Sequence, residues 1–326
     1  MKLSNENIKK ILIIRNDHIG DLILSSNIFR YARKNFPDAK ITALVAPSAK
    51  EIVEKNKNIN EVITAKYNPK SYKDLKQYIK AILKIRKEKF DYGIEIRGET
   101  RNTLSFLFLG KVKFRVANCK DNLSKKLVDF HGTNDSKQRH ESVRGIELFR
   151  DSLNLGEINY KAEVATDERD EENVNLFIKK NKLKKFICIN PDASHEGKQW
   201  DMENFDKIIK FLKSDYKDYK IVLIGADSEK LNYLMTKNPE MILLEKGNLR
   251  EIHLLLKKCS LFFCIDGGVM HLAWISDIPL ITLMMKFSIP SIENIKPLSK
   301  KSIILYDDED GITIDEAKEN IRKVLR

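Results

Sequence analysis

Cysteine is scarce in this sequence: four in 326 residues, at positions 119, 188, 259 and 264, with no CxxC pair among them. That excludes a disulfide-stapled scaffold and a zinc ribbon, and cysteines in apolar, strand-like runs read as reduced core residues of a reducing compartment. No G-x-G-x-x-G follows a strand-like run, and no G-x-x-x-x-G-K-[ST] or H-E-x-x-H occurs. The dinucleotide fingerprint, the P-loop and the zinc-peptidase helix are therefore excluded. Long hydrophobic runs are missing too. The first apolar run covers only 11–14 and leads to no small-residue cleavage site, so no secretory signal is expected. The longest, 261–285, is interrupted by Asp266, His271 and Asp277. A bilayer span needs about 20 largely apolar residues, so this one is too broken to cross.

What is present is positive charge. Lys and Arg exceed Asp and Glu by 12, and the sequence pI is about 9.3. Such an excess points to an acidic partner: nucleic acid, an anionic membrane surface or a phosphorylated substrate. The basic residues are scattered and no aromatic ladder accompanies them, so nucleic acid is not expected. Hydrophobic residues at 42% and charged residues at 33% are ordinary for a globular chain long enough to bury its own core.

Short apolar runs alternate with helical patterns throughout. Strands are expected at 10–15, 40–45, 91–96, 111–116, 186–190, 220–224, 241–244, 261–265, 280–283 and across SIILY at 302–306. Near-continuous apolar strands separated by helices predict an α/β fold with parallel sheets covered on both faces. Periodicity fades in the acidic stretch 156–175 and restarts at Phe186. This predicts two Rossmann-like domains, 1–165 and 166–326, with the last helix able to pack back on the first. A basic amphipathic helix is expected at 72–90. Tyr72, Leu75, Ile79, Ile82 and Leu83 share one face, and Lys73, Lys80, Lys84 and Lys87 lie largely away from it. It reads either as a solvated helix covering a sheet or as a peripheral contact for an anionic membrane.

In open parallel sheets ligands bind beyond the carboxyl ends of strands. Three such junctions carry chemistry. In RNDHIGD, Asp21 follows a strand and opens a helix whose Leu22, Phe29 and Phe36 lie one heptad apart; it is either a helix cap or an ionised general base. In NPDASHEGKQW, Ser194, Lys198 and backbone amides could grip a diphosphate, and Asp201 is expected to cap the next helix. In CIDGGVMHLAW, a strand ends at Asp266, and Gly267 and Gly268 present amides at a helix N-terminus, a phosphate cradle. His271, one turn into that helix, is either a satisfied core residue or a donor contact. Asp308 and Asp310 mimic the DxD of metal-dependent transferases, but too little chain follows to build a site there.

These junctions, in this order, resemble glycosyltransferase family 9, the ADP-heptose:lipopolysaccharide heptosyltransferases. The opening ILIIRNDHIGD…FPDA is similar to that family's first strand and R-x-x-x-x-G-D junction; FDYGIEIRGETR…GKVKFRVA to its central stretch; RHESVRGIELF to the helix closing its first domain. FICINPDASHEGKQW and FFCIDGGVMHLAW are similar to its two donor motifs. The resemblance implies a GT-B fold, two Rossmann-like domains facing across a cleft, and a metal-independent, cofactor-free, inverting transfer. The donor would be a nucleotide-diphosphate sugar such as ADP-heptose, and the acceptor an acidic glycolipid-like lipopolysaccharide or lipooligosaccharide core. It implies Asp21 as base, with Gly20, Arg97 and Arg101 on the acceptor side. Lys198 and Ser194 would contact the diphosphate, with Asp266, Gly267, Gly268 and His271 at the phosphate turn. Glu229 would lie near the ribose, and Gly247, Asn248 and Leu249 where the base packs. A cytoplasmic enzyme, peripheral at the inner face of the membrane, is the implied setting. Alternatives on the same fold are a transferase with another donor, a sugar-nucleotide epimerase or hydrolase, and a non-catalytic binding protein. Two departures stand out: Gly267 occupies the family's usual Thr position, and MMKFSIPSIENIKP at 284–297 replaces its F-G-P-T-D-P.

Overall fold

The computed structural model describes residues 5–132, 139–192, 195–245, 247–288, 292–307 and 311–326. The chain divides into two compact units, Met1–Ala165 and Thr166–Arg326.

The first unit holds a six-stranded parallel sheet. Its strands are β1 (Lys10–Arg15), β2 (Lys40–Val45), β3 (Glu61–Thr64), β4 (Tyr92–Glu95), β5 (Phe114–Ala117) and β6 (Phe130–His131), in the spatial order 3-2-1-4-5-6. In β1 and β2 every residue after the leading lysine is buried, as helices on both faces require.

The second unit repeats the plan. Its strands are β7 (Phe186–Asn190), β8 (Lys220–Leu223), β9 (Ile242–Leu243), β10 (Leu261–Ile265), β11 (Leu280–Met284) and β12 (Ser302–Tyr306). The order β12-β11-β10-β7-β8-β9 is that of the first sheet once β7 is counted as the leading strand. In each sheet the winding reverses once, between β1 and β4 and between β7 and β10. That reversal opens a crevice at the carboxyl ends of the two strands, the place where doubly wound sheets bind ligands.

Three local features sharpen the expectation. The helix after β1 is two helices, Ile19–Leu24 and Asn27–Asn35. Ser25 Oγ donates to the Asp21 carbonyl at 2.8 Å and Ser26 Oγ to that of Ile23 at 2.7 Å, and such side-chain bonds compete with the helix ladder. The helix Tyr72–Glu88 turns its Asp74, Tyr78, Ala81 and Ile85 inward and leaves Tyr72, Leu75, Ile79 and Leu83 exposed. The last helix, Ile314–Val324, stays in the second unit: Ala317 and Ile321 are fully buried in its core, and Arg322 and Lys318 lie over the Phe211 ring of the helix Met202–Asp215 at 4.9 and 5.6 Å. All four cysteines are free and buried.

Candidate functional site

The β1–β4 reversal gathers charge around a buried guanidinium. Arg15, the last residue of β1, lies 3.0 Å from Asp17, 3.2 Å from Asp21 and 2.8 Å from Glu141 at the start of the helix Glu141–Leu153. Burial alone would lower its proton affinity, but the three carboxylates outweigh burial and raise it, so it is a permanent cation. The acids differ in access: the side chain of Asp17 is 3% exposed, that of Glu141 11% and that of Asp21 22%. Asp17 Oδ1 accepts no hydrogen bond from any described residue, although Arg15 is near. Burial therefore prevails over the Arg15 charge and pushes the Asp17 carboxyl up to about 7.

The opposite wall of this crevice follows β4. Glu95 is fully buried, and burial raises its carboxyl. It accepts the amides of Gly98 at 2.5 Å and Glu99 at 3.0 Å and so shapes the turn that carries Arg97. Gly98 adopts φ +82°, and a Cβ there would fall 1.9 Å from the Asn118 carbonyl oxygen, so only glycine fits. Arg97 stands over the Tyr67 ring at 4.1 Å and 3.6 Å from Asp17; Arg101 donates to Asn68 Oδ1 at 2.9 Å. Arg97 thus reaches the Arg15 cluster through Asp17, and Arg101 is held on the neighbouring 67–68 loop. Gly20 is buried in the short helix beside Asp21.

The β7–β10 reversal holds the second cluster. Lys198, in the turn after β7, pairs with Asp266, the residue following β10, and Ser288 Oγ donates to the same carboxylate at 2.7 Å. Asp266 is 2% exposed and Lys198 19% by side chain, so the lysine is the more accessible partner. Gly267 is the N-cap of the helix Gly268–Ile275, whose first amides lack intrahelical acceptors. Its φ of −162° is extended, so no left-handed backbone demands glycine there; a Cβ would lie 3.2 Å from the Asp192 carbonyl oxygen, a tight fit. His271 is buried one turn further on.

Asp192 joins this cluster to the next loop. Its Oδ2 accepts the Asp227 amide at 2.9 Å, and a Cβ on Gly225 would meet that oxygen at 2.5 Å. Asp227 caps the helix Ser228–Lys237 and leaves Glu229 exposed in its first turn. The Asn248 side chain is committed elsewhere. It caps the helix Leu249–Leu256 in a reciprocal pair with Glu251 and donates to Asp170 at 3.3 Å. Ser194 and the acidic pair at 308 and 310 lie outside the described residues. No group of three or more His, Cys, Asp or Glu among the described residues is placed to hold a metal ion.

Sequence reasoning missed Arg15, Asp17, Glu141, Glu95, Asp192 and Ser288 as site residues. Arg15 and Asp17 stood in plain view within RNDHIGD, but their burial did not. Ser288 and Phe287 belong to the segment that departs from the family pattern: Phe287 stacks on His195 with ring centroids 3.9 Å apart and covers the turn that bears Lys198.

The family model described as Glycosyltransferase family 9 (heptosyltransferase) matches residues 79–323. The chain belongs to glycosyltransferase family 9. Like the family it is a glycosyltransferase. It is 22% identical over 291 residues to lipopolysaccharide heptosyltransferase 1 of Campylobacter coli, covering 84% of this chain and 83% of that protein. Among solved structures, heptosyltransferase WaaC of E. coli with ADP superposes with TM-score 0.77 at 17% identity, covering 97% of this chain and 99% of that one. UDP-GlcNAc 2-epimerase of Methanocaldococcus jannaschii gives TM-score 0.59 at 16% identity, covering 97% and 93%. At these identities the structural likenesses speak for the fold, the GT-B pairing of Rossmann-like domains.

Proposed function

We propose that this family 9 enzyme moves a heptose from ADP-heptose to a hydroxyl of an acidic, lipopolysaccharide-type glycolipid, with inversion and with Asp21 as general base. One observation carries the base assignment: of the three carboxylates around Arg15, only Asp21 keeps about a fifth of its side chain open to a ligand. Arg15 at 3.2 Å orients it. The acceptor oxygen bonds to the anomeric carbon on the face opposite the leaving group and gives its proton to Asp21. The bond from that carbon to the diphosphate oxygen breaks, and ADP departs with the electron pair.

Negative charge grows on the departing diphosphate. Lys198 and the amides at the Gly267–Gly268 helix start are the groups suited to receive it. Asp266, buried and bonded by Ser288, acts as a positioning residue that aims the Lys198 ammonium. Arg97 and Arg101 suit phosphates or acidic sugars on the acceptor. The names of the relatives, heptosyltransferases and one solved with ADP, support heptose and adenine as the donor parts. Four free thiols suit a cytoplasmic setting.

The test pairs turnover with binding. Asp21→Ala should abolish transfer yet retain the thermal stabilisation produced by ADP, which follows from mass action on the native state. A wild-type rate for this variant sinks the base assignment. Stabilisation by UDP, GDP or dTDP in place of ADP replaces the donor and keeps the fold and mechanism. Sugar release without acceptor marks a hydrolase or epimerase.

A further inference from the structure

We propose that the outward face of the helix Tyr72–Glu88 is a docking surface for an anionic lipid bilayer. This helix buries the face around Asp74, Tyr78, Ala81 and Ile85 and leaves the more apolar one in water. Tyr72 is 81% exposed, Leu83 59%, Ile79 48% and Leu75 46%. At one residue per 100° these four form a single stripe along a rod about 25 Å long. Large apolar side chains gathered on one exposed face mark a binding surface, whereas scattered ones do not.

Charge selects the partner. Exposed Lys73, Lys76, Lys80, Arg86 and Lys87 flank the stripe. The two acids of the helix are turned away from it: Asp74 is held by Lys66 at 3.1 Å, and Glu88 by Lys10 at 3.2 Å and Lys40 at 3.1 Å. Apolar residues interleaved with lysines, and no acid, suit a helix lying in the plane of a bilayer interface. Its Leu and Ile enter the acyl boundary while the lysine stems reach back to anionic headgroups. A second copy of this chain is a poorer occupant, because a two-fold interface would set these cations against themselves. The packed neighbour segment, whose Phe106 ring lies 4.6 Å from Tyr78, also exposes Leu104, Phe108 and Leu109. No helix among the described residues is long and apolar enough to cross a membrane, so lipid contact would be of this peripheral kind.

The position serves a lipid-borne acceptor. Lys66, which holds Asp74 in the first turn of the helix, adjoins Tyr67, the ring beneath Arg97. A docked helix therefore brings the acceptor-side rim of the first unit to the headgroups. Vesicle binding needs no sugar nucleotide, so it is read independently of the donor and base assignments.

The full chain should float with phosphatidylcholine vesicles containing phosphatidylglycerol, not with phosphatidylcholine alone, and raised salt should release it. Ile79→Glu/Leu83→Glu should weaken binding at least tenfold with melting temperature and ADP response unchanged, since both sites are exposed. Lys76→Glu/Lys80→Glu should weaken it comparably, at about fivefold per lost cation near the surface. Absence of flotation on the phosphatidylglycerol vesicles overturns the proposal, as does flotation unaltered in both variants. So does a wild-type dimer in light scattering that Ile79→Glu/Leu83→Glu converts to monomer, which would assign the face to self-association.

Discussion

Replacing Asp17 by Asn tests the electrostatics at the end of β1 where they are most unusual. The folded-state carboxyl is pushed up from 3.8 to about 7, burial first, against the Arg15 charge. The folded chain therefore holds a proton that the unfolded chain has lost across that range. The sign follows from linkage: stability falls as pH rises from about 4 to about 7 and is level above, because the unfolded state binds fewer protons there. At about 1.4 kcal/mol per pKa unit, the fall between pH 5 and pH 7 is about 3 kcal/mol. Asn has the shape of the protonated acid and does not titrate, so the variant should lose this slope. Its stability relative to wild type should improve by about 3 kcal/mol between pH 5 and pH 8, or about 6–12 °C in melting temperature for a unit of this size. Thermal melts of both proteins at pH 5, 6, 7 and 8 measure it. Parallel curves, or a gap that grows in favour of the variant as pH falls, refute the reasoning: either would mean that Asp17 is ionised throughout and that Arg15 outweighs burial.

Three further outcomes are expected. Gly98→Ala forces a side chain into a φ of +82° and against the Asn118 carbonyl, and should cost about 3 kcal/mol or more, read as a melting temperature at least about 6 °C lower. Lys198→Ala removes a charge-assisted contact worth about 1.5–3 kcal/mol and leaves Asp266 uncompensated; ADP affinity by calorimetry should fall about ten- to 150-fold, and a loss under about threefold would remove Lys198 from the site. Ser288→Ala should weaken ADP less than Lys198→Ala, because Ser288 bonds the Asp266 carboxylate that holds Lys198; an equal loss would make it a direct ligand.

The strands whose bounds were legible to the residue include those buried on both faces. KILIIR, KITALV, FICIN and LFFCI lie in the sheet interiors, and their apolar runs match the observed bounds. The two that escaped, β3 and β6, are the edge strands of the first sheet, four and two residues long and only partly buried. An edge strand with one pairing partner has no need of a continuous apolar run: β9 and β12, the edges of the second sheet, lie in such runs and were legible, whereas β3 and β6 do not.

The site divides in the same way. Residues that are polar, follow a strand and precede a helix could be singled out one at a time, which is how Asp21, Lys198, Asp266 and Gly267 were found. Their partners could not. Glu141 reaches Arg15 from 126 positions along the chain and Ser288 reaches Asp266 from 22, and no local pattern links either pair. The apolar stripe of the helix Tyr72–Glu88 makes the point most sharply. Amphipathicity is a property of the helix alone, visible in its sequence, but which face is buried depends on what the sheet and the 103–108 segment offer it. Here Tyr78, Ala81 and Ile85 fit that surface and the richer apolar face does not. The sequence by itself determined the alternation of strand and helix, the charge and the strand-end positions of the polar residues, because each depends on neighbours in the chain. The tertiary structure alone decided which carboxylate stays open, which is driven toward neutrality and which helix face meets water, because burial and Coulomb energy depend on distance in space.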